Sequence, residues 1–495
     1  MKGRVPQLSI LCGALLVLAV PSTSGAGDWP RYGGGDLVTN HVGAAAAAGL
    51  SSETVGDIVT RWSVNVGGRF VASPLYAENI QVGNRREDAI FVATNAGTVA
   101  ALRAADGAVL WKRTVSGTVT TCRSTYGISS TPVIDRARSR LYAIGADGLL
   151  HALDIATGET LPGWPLRIIS LTRAEYAWGG LAISGTRVYV PVASYCDLPD
   201  ENGALADGRL VAVDVIDAKI VAAFDVVEGP NNMGGIWGYA GVSIDPSTGH
   251  LWTATANTWA YDPDCACIVE TSGYGEAALE LDVDLNLVSW NRPDDVANRE
   301  DSGFGAAPLL FQPAGCPPLA AAHAKNGRVY VWSREDLEGG PRWSAHVGPS
   351  GIDESFLSQP SYSPDLDMFF ISPARDYDDE GQTRTLDAVV AFAVGPGCTF
   401  PARPTWTAPG IGRGPKSPPL IVDDLVFVPG GFDRNAFALH ATTGEVLWTV
   451  GLPGAVLAPI SYAGDEVLIA DSAGNVHAFG LRPRVYVGKP GLYAT

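Results

Sequence analysis

Few residue groupings in this 495-residue chain have the types and spacing to carry chemistry. Asp376-Tyr-Asp378-Asp-Glu380-Gly381, with Asp387 beyond it, puts carboxylates at positions one, three, five and twelve and glycine at six of a calcium-loop pattern. Arg384 falls at position nine and the flanking sequence is strand-like, so a solvated acidic loop is the expected reading. Gly410-Ile-Gly412-Arg-Gly414-Pro-Lys416-Ser417 imitates a phosphate-cradling loop, but Pro415 splits glycine from lysine and no helix follows. A turn before a strand is predicted there. The seven histidines are scattered, with no His-Glu-x-x-His and no Gly-x-Ser-x-Gly elbow at a strand-to-helix turn. Cys265-Ala-Cys267 has no second cluster or nearby histidine to complete a zinc site.

Composition narrows the classes further. The formal charge is −18, and no basic patch offers a surface for phosphates, which excludes nucleic acid as the partner. Gly 58 and Pro 34, with only 17% charged residues and 3 Met, describe a turn-rich, well-packed chain. They exclude a coiled coil and a disordered protein. Lys2 and Arg4 precede an apolar run from Leu8 to Val20 and then small residues, the order of a secretory leader. Cys12 lies inside that run behind Leu11, which does not fit a lipoprotein site. The expectation is a signal peptide over 1–26, one domain over 27–495, and a secreted or periplasmic protein with no membrane span. Six cysteines remain after the leader: Cys122, Cys196, Cys265, Cys267, Cys316 and Cys398. An even number in an exported chain fits disulfides, with fifteen pairings open.

The elements that must position any site repeat along the chain. Ala101-Leu-Arg-Ala-Ala-Asp-Gly107-Ala-Val-Leu-Trp111 recurs as Ala438-Leu-His-Ala-Thr-Thr-Gly444-Glu-Val-Leu-Trp448. A longer copy runs from Ala152 through Gly158 to Trp164, and looser copies end at Trp62, Trp290, Trp343 and Trp406. Ala212-Val-Asp214 opens a copy that has lost its Gly and Trp, ending near Phe224. The period of about 40 to 70 residues accommodates four short strands. Alternating segments such as Arg140–Ile144 and Leu149–Leu153 read as antiparallel strands, with Asp147-Gly148 and Asn326-Gly327 as two-residue hairpin turns. Four-stranded sheets with a Trp near each outer strand bury their faces when stacked radially. The predicted fold is all-β, an eight-bladed β-propeller with seven blades as the fallback. The strand around Trp62 should complete the last repeat, Val467 to Leu481, which lacks its own Trp.

These phrases resemble the tryptophan-docking repeats of the quinoprotein dehydrogenases that bind pyrroloquinoline quinone (PQQ). The likeness runs from Asp28-Trp-Pro-Arg-Tyr-Gly-Gly34 through Gly127-Ile-Ser-Ser-Thr-Pro-Val-Ile-Asp135 and Gly234-Gly-Ile-Trp237-Gly-Tyr-Ala-Gly-Val-Ser-Ile-Asp-Pro246 to Lys325-Asn-Gly-Arg-Val-Tyr-Val331. Non-catalytic propeller lipoproteins of outer-membrane protein assembly share the repeat, so the fold alone grants no activity.

The resemblance implies an alcohol oxidoreductase that uses PQQ and Ca²⁺, acting on a small-molecule or polymeric alcohol. It places Trp237 as the floor under the quinone, Asn257 as a Ca²⁺ ligand, and Lys325 at the quinone oxygen. These three should converge on the central axis. Departures from the pattern are equally specific. Asp301-Ser-Gly303-Phe-Gly305 stands where polyvinyl alcohol dehydrogenase-like relatives carry Asp-x-Asp-Phe-Gly. Gly303 therefore occupies the base position, and Asp301 is the displaced candidate base, two residues earlier. The Ca²⁺-ligating Glu has no match, with Glu201 or Asp197 as replacements, and the adjacent cysteine pair is reduced to Cys122-Arg123. No Cys-x-x-Cys-His haem site occurs. The alternative expectation is a non-catalytic propeller that binds a protein or polymer on one face.

Overall fold

The computed structural model describes residues 27–482 except 122–123, 171–173, 196, 198–203, 263–266, 271–272, 297–301, 306, 348–358, 373–375, 378–382, 385–387 and 414–416. Eight sheets of four principal strands succeed one another along the chain. Counting from the hub outwards as strands a to d, blades 1 to 7 span 75–114, 133–167, 182–225, 243–291, 309–346, 361–408 and 420–451. Blade 8 takes strands a to c from 461–481, and its outer strand is Ile58–Asn65, paired antiparallel with Asn475–Leu481. The chain's early and late segments thus close an eight-bladed ring, as the repeat count predicted. In each blade strands b and c are sequestered: Ile90–Ala93 and Val99–Leu102 are all buried. Such strands bury both faces between neighbouring blades, so their runs are apolar and small rather than strictly alternating. The turns at Asp147-Gly148 and Asn326-Gly327 differ from the predicted two-residue form. Only the glycine of each has positive φ, +74° and +78°, within a longer connection.

The docking phrase works by stacking an indole on a glycine of the next blade. Trp62 of blade 8 donates its indole N–H to the Ala104 carbonyl of blade 1 at 2.7 Å. Trp111 donates to Ile155 at 3.0 Å and Trp406 to Ala441 at 2.8 Å. A Cβ on Gly107, Gly158 or Gly444 would lie only 2.4–2.6 Å from those indoles, and each glycine has φ near +70°. Glycine is required there on both counts.

Register identifies the seam where the phrase is broken. A bulge one residue before the Trp pairs Trp111 with Ala101 and Trp448 with Ala438. The same bulge in blade 3 pairs Ala222 with Ala212. The lost Trp position is therefore Ala222, not the neighbourhood of Phe224. In blade 4 the bulge pairs Ser289 with Glu280, leaving Trp290 one residue past the docking position. On the facing turn of blade 4 the glycine position is Leu285, left-handed at φ +64° and buried in one apolar cluster with Ala222 and Phe224. Where the seams at Trp62, Trp111 and Trp406 carry Trp and Gly, this one carries Ala and Leu: the bulk has changed sides.

The hub is closed by residues that show no repeat signal. Residues 29–42 pass along the inner strands of six of the eight blades. Trp29 N–H donates to Tyr76 O, and Pro30 O accepts from Ile134. Further on, Asp36, Leu37, Thr39 and Asn40 carbonyls accept from Ile244, Leu310, Tyr362 and Ile421. Tyr32 stacks on Tyr239 with centroids 6.4 Å apart, and Val38, Ala240 and Ala307 join them in one apolar cluster. Tyr239 belongs to the entry of blade 4, yet its hydroxyl donates to Leu457 O at the entry of blade 8, across the ring. The Cys316–Cys398 disulfide ties blade 5 to blade 6. The pairing of the other four cysteines lies outside the described residues or side chains.

Candidate functional site

The loops that enter strand a and those that join b to c emerge on one face, and Trp237, Asn257, Gly303 and Lys325 sit in them. Trp237 precedes Ser243–Ile244 of blade 4, and Asn257 follows Leu251–Ala254 of the same blade. Gly303 precedes Leu309–Phe311 of blade 5, and Lys325 lies between Leu319–His323 and Arg328–Ser333. Backbone bonds lace these loops together. Gly234 N–H donates to Asn257 O at 2.8 Å, Ala256 N–H to Gly235 O at 2.9 Å, and Lys325 N–H to Gly303 O at 3.1 Å. The buried Asn257 side chain accepts from Gly303 N–H at 3.0 Å. On this scaffold the Lys325 ammonium stands over the half-buried Trp237 ring, 5.0 Å from its centroid. That is cation–π range, and it pairs a flat apolar surface with a cation.

Position 303 leaves no room for a side chain. A Cβ there would lie 2.7 Å from Asn257 Oδ1 and 2.8 Å from Ala256 Cα. The second of these is backbone and cannot swing away. Ser302, next to it, is buried with its hydroxyl 3.1 Å from Glu276 Oε1 and 2.5 Å from Val296 O. The displaced candidate base Asp301 lies outside the described residues, as do Glu201, Cys122 and Arg123. Asp197 is described: its carboxylate accepts from the Ser194 hydroxyl. The acidic run is described only at Asp376–Tyr377 and Thr383–Arg384, which pair as a small hairpin. The glycine-rich stretch leads into strand Leu420–Val422, as predicted.

Sequence reasoning overlooked an aromatic group on the same face. Tyr126, Tyr176, Trp178 and Tyr195 meet edge-on or stacked at 4.5–5.6 Å. Trp178 Nε1 donates to Ser194 O at 2.7 Å, and Ile236 N–H donates to Val192 O at 3.0 Å. Trp178 and the Trp237 segment thus hang on the same strand end. Burial pushes the Tyr176 and Tyr195 phenols well above the ordinary tyrosine range, so both are neutral. The signal was available: all four fall at strand a entries or strand b exits, the offsets of Trp237 and Lys325.

The fit to the implied groups divides. A planar quinone matches an indole with an ammonium at its face. For Ca²⁺, Asn257 Oδ1 already accepts one hydrogen bond, and among the described residues no three His, Cys, Asp or Glu side chains converge. The described residues do not assemble a calcium site.

A profile of the family described as outer membrane protein assembly factor BamB matches residues 57–232 and 390–481, over half of the chain. The chain belongs to the PQQ-like β-propeller family. This PQQ-like propeller is 23% identical over 443 residues to polyvinylalcohol dehydrogenase of Sphingopyxis sp. (strain 113P3). The match covers 81% of this chain but 64% of that protein, less than two thirds of its length. Among solved structures, it superposes on quinohemoprotein alcohol dehydrogenase ADHIIG of Pseudomonas putida HK5 with a TM-score of 0.69. Identity is 15%, covering 95% of this chain and 82% of that one. A europium-containing methanol dehydrogenase gives 0.70 at 14% identity, covering 92% and 99%. Such identities establish a shared fold. No helix among the described residues of this PQQ-like propeller is long and apolar enough to cross a membrane.

Proposed function

We propose that the Trp237–Lys325 face binds a planar quinone of the PQQ class and that the protein is a quinoprotein-like alcohol oxidoreductase working outside the cytoplasm. The observation that carries this reading is the Lys325 ammonium 5.0 Å from the Trp237 centroid, with both loops bonded through Asn257 and Gly303. When bound, the quinone supplies the two-electron acceptor. The chain's part is to stack it on Trp237 and to set Lys325 against an oxygen that gains negative charge on reduction. Asp301 is the candidate we assign to taking the alcohol proton, since position 303 admits no carboxylate. The disulfide supports an oxidising compartment.

The crowding at Gly303 also favours a second reading, a propeller that binds its ligand without turnover. One experiment separates the two. Purified protein is titrated with PQQ, with and without Ca²⁺, following quenching of tryptophan fluorescence, and then assayed for alcohol-dependent reduction of an artificial dye. Saturable quenching lost in Trp237→Ala and Lys325→Met, together with dye reduction lost in Asp301→Asn, supports the oxidoreductase. Quenching without dye reduction supports the binding protein, and no quenching ends both.

A further inference from the structure

The eight outer strands form the rim of the ring, and each ends its sheet with one edge unpaired. Such edges template pairing with another chain unless they are short, charged or covered. Most here are managed. Blade 1 carries Lys112 and Arg113 on Val109–Thr114, and blade 8 carries Arg61. Blade 2 offers two residues, Leu166–Arg167, and blade 6 three. The outer strand of blade 7 lies against the 3-10 turn Val55–Asp57.

Blade 5 offers four residues and the uncharged outer strand of blade 4, Leu287–Asn291, five; blade 3 offers a longer open edge. Its outer strand Lys219–Asp225 is seven residues long and reads Lys-Ile-Val-Ala-Ala-Phe-Asp, with no charge between its ends. Ile220 and Val221 are 48% and 40% exposed, and Ile216 in the preceding turn is 62% exposed. Val283 and Val288 of blade 4 are also among the exposed large apolar residues. Val221 is the extra residue of the bulge, unpaired with the inner strand. Loss of the docking Trp at Ala222 and this apolar rim fall on the same strand.

The sequence of this strand is complementary to itself. Turned antiparallel about a twofold axis at Ala222, two copies set Lys219 against Asp225 of the second copy, at both ends. Ile220 then faces Phe224 of the second copy, and Val221 faces Ala223. A twofold contact requires this self-matching, because one patch must serve both partners. We propose that the protein forms a rim-to-rim homodimer through the outer strands of blade 3, registered by reciprocal Lys219–Asp225 pairs. Within one chain Lys219 pairs with the exposed Asp217 at 2.8 Å, a contact the second copy's Asp225 would compete with. The apolar centre drives association against the repulsion of two chains of formal charge −18.

Sedimentation velocity over a concentration series, on the full secreted protein, tests this. A species of twice the monomer mass is expected. Lys219→Asp and Asp225→Lys should each weaken the dimer by about tenfold or more, since each turns two attractive contacts repulsive. The combined Lys219→Asp/Asp225→Lys protein should recover wild-type association, because the pairs re-form with signs exchanged. Recovery also shows that the single changes did not act by unfolding the chain. A protein that stays monomeric up to about 100 µM, a free energy of association weaker than about 5.5 kcal/mol, overturns the proposal. So does a dimer indifferent to both single changes, or one that the double change fails to restore.

Discussion

The seam between blades 3 and 4 makes a quantitative prediction. At three other seams an indole lies on a glycine; here Ala222 shares a cluster with Leu285, which is 4% exposed at φ +64°. Leu285→Gly removes a buried leucine, a loss of about 2–5 kcal/mol with its cavity. Relief of the left-handed backbone returns about 1 kcal/mol. The net cost should be about 1–4 kcal/mol. Ala222→Trp drives an indole into space that Leu285 fills, for about 1–3 kcal/mol or more. Together the two changes rebuild the Trp-on-Gly contact seen at Trp62 and Gly107. The double variant should therefore be at least 2 kcal/mol more stable than the sum of the singles implies. The turn Val283–Leu285 is one residue shorter than Ala104–Gly107, so recovery should stop short of the wild type. Equilibrium denaturation of all four proteins measures the coupling. Additivity within about 0.5 kcal/mol would show that Ala222 and Leu285 do not share one space, and the exchange-of-bulk argument would fail.

Three further outcomes are expected. Gly303→Asp, which writes the missing carboxylate back, should lower stability by about 1–3 kcal/mol and add no dye reduction, because its Cβ meets Ala256 backbone; thermal melting and the alcohol assay check both. Glu466, buried in blade 8, has its carboxyl pushed up to about 7 by burial and then by Asp465, partly offset by Arg61. A raised carboxyl favours the fold below its unfolded pKa near 4.5, and that advantage is lost as pH rises through about 7. Glu466→Gln should thus gain stability over wild type across that window, by on the order of 2 kcal/mol, and the gap should level off above it; pH-dependent denaturation reads the difference. Replacing Cys316 and Cys398 by serine opens a crosslink spanning 82 residues and should cost about 4–5 kcal/mol on the chain-entropy scale, read from denaturation midpoints.

Much of this fold is written in local sequence, because the docking phrase needs one particular pair: an indole, and a glycine without Cβ beneath it. Both survive at Trp62, Trp111 and Trp406, and the ring could be counted from them. Where the pair was exchanged for Ala222 and Leu285 the phrase disappears from view, since the compensation joins residues 63 positions apart on different blades. Only strand register exposes it. Trp237 and Lys325 entered as candidates through the family resemblance, not through any pattern in their loops; what the structure adds is that their side chains meet at 5.0 Å. The aromatic group at Tyr126, Tyr176, Trp178 and Tyr195 was not legible, because its members belong to separate repeats. Residues 29–42 were equally silent: they pair with one blade at a time and so carry no period.

That early stretch has a consequence for how the molecule is made. Residues 29–42 complete their set of partners only once blades 1, 2 and 4 to 7 exist, and blade 8 needs Ile58–Asn65 together with Asn475–Leu481. An early stretch of the sequence thus cannot finish docking until much later repeats are in place. Deleting either Ile58–Asn65 or Asn475–Leu481 would leave an open horseshoe rather than a smaller wheel.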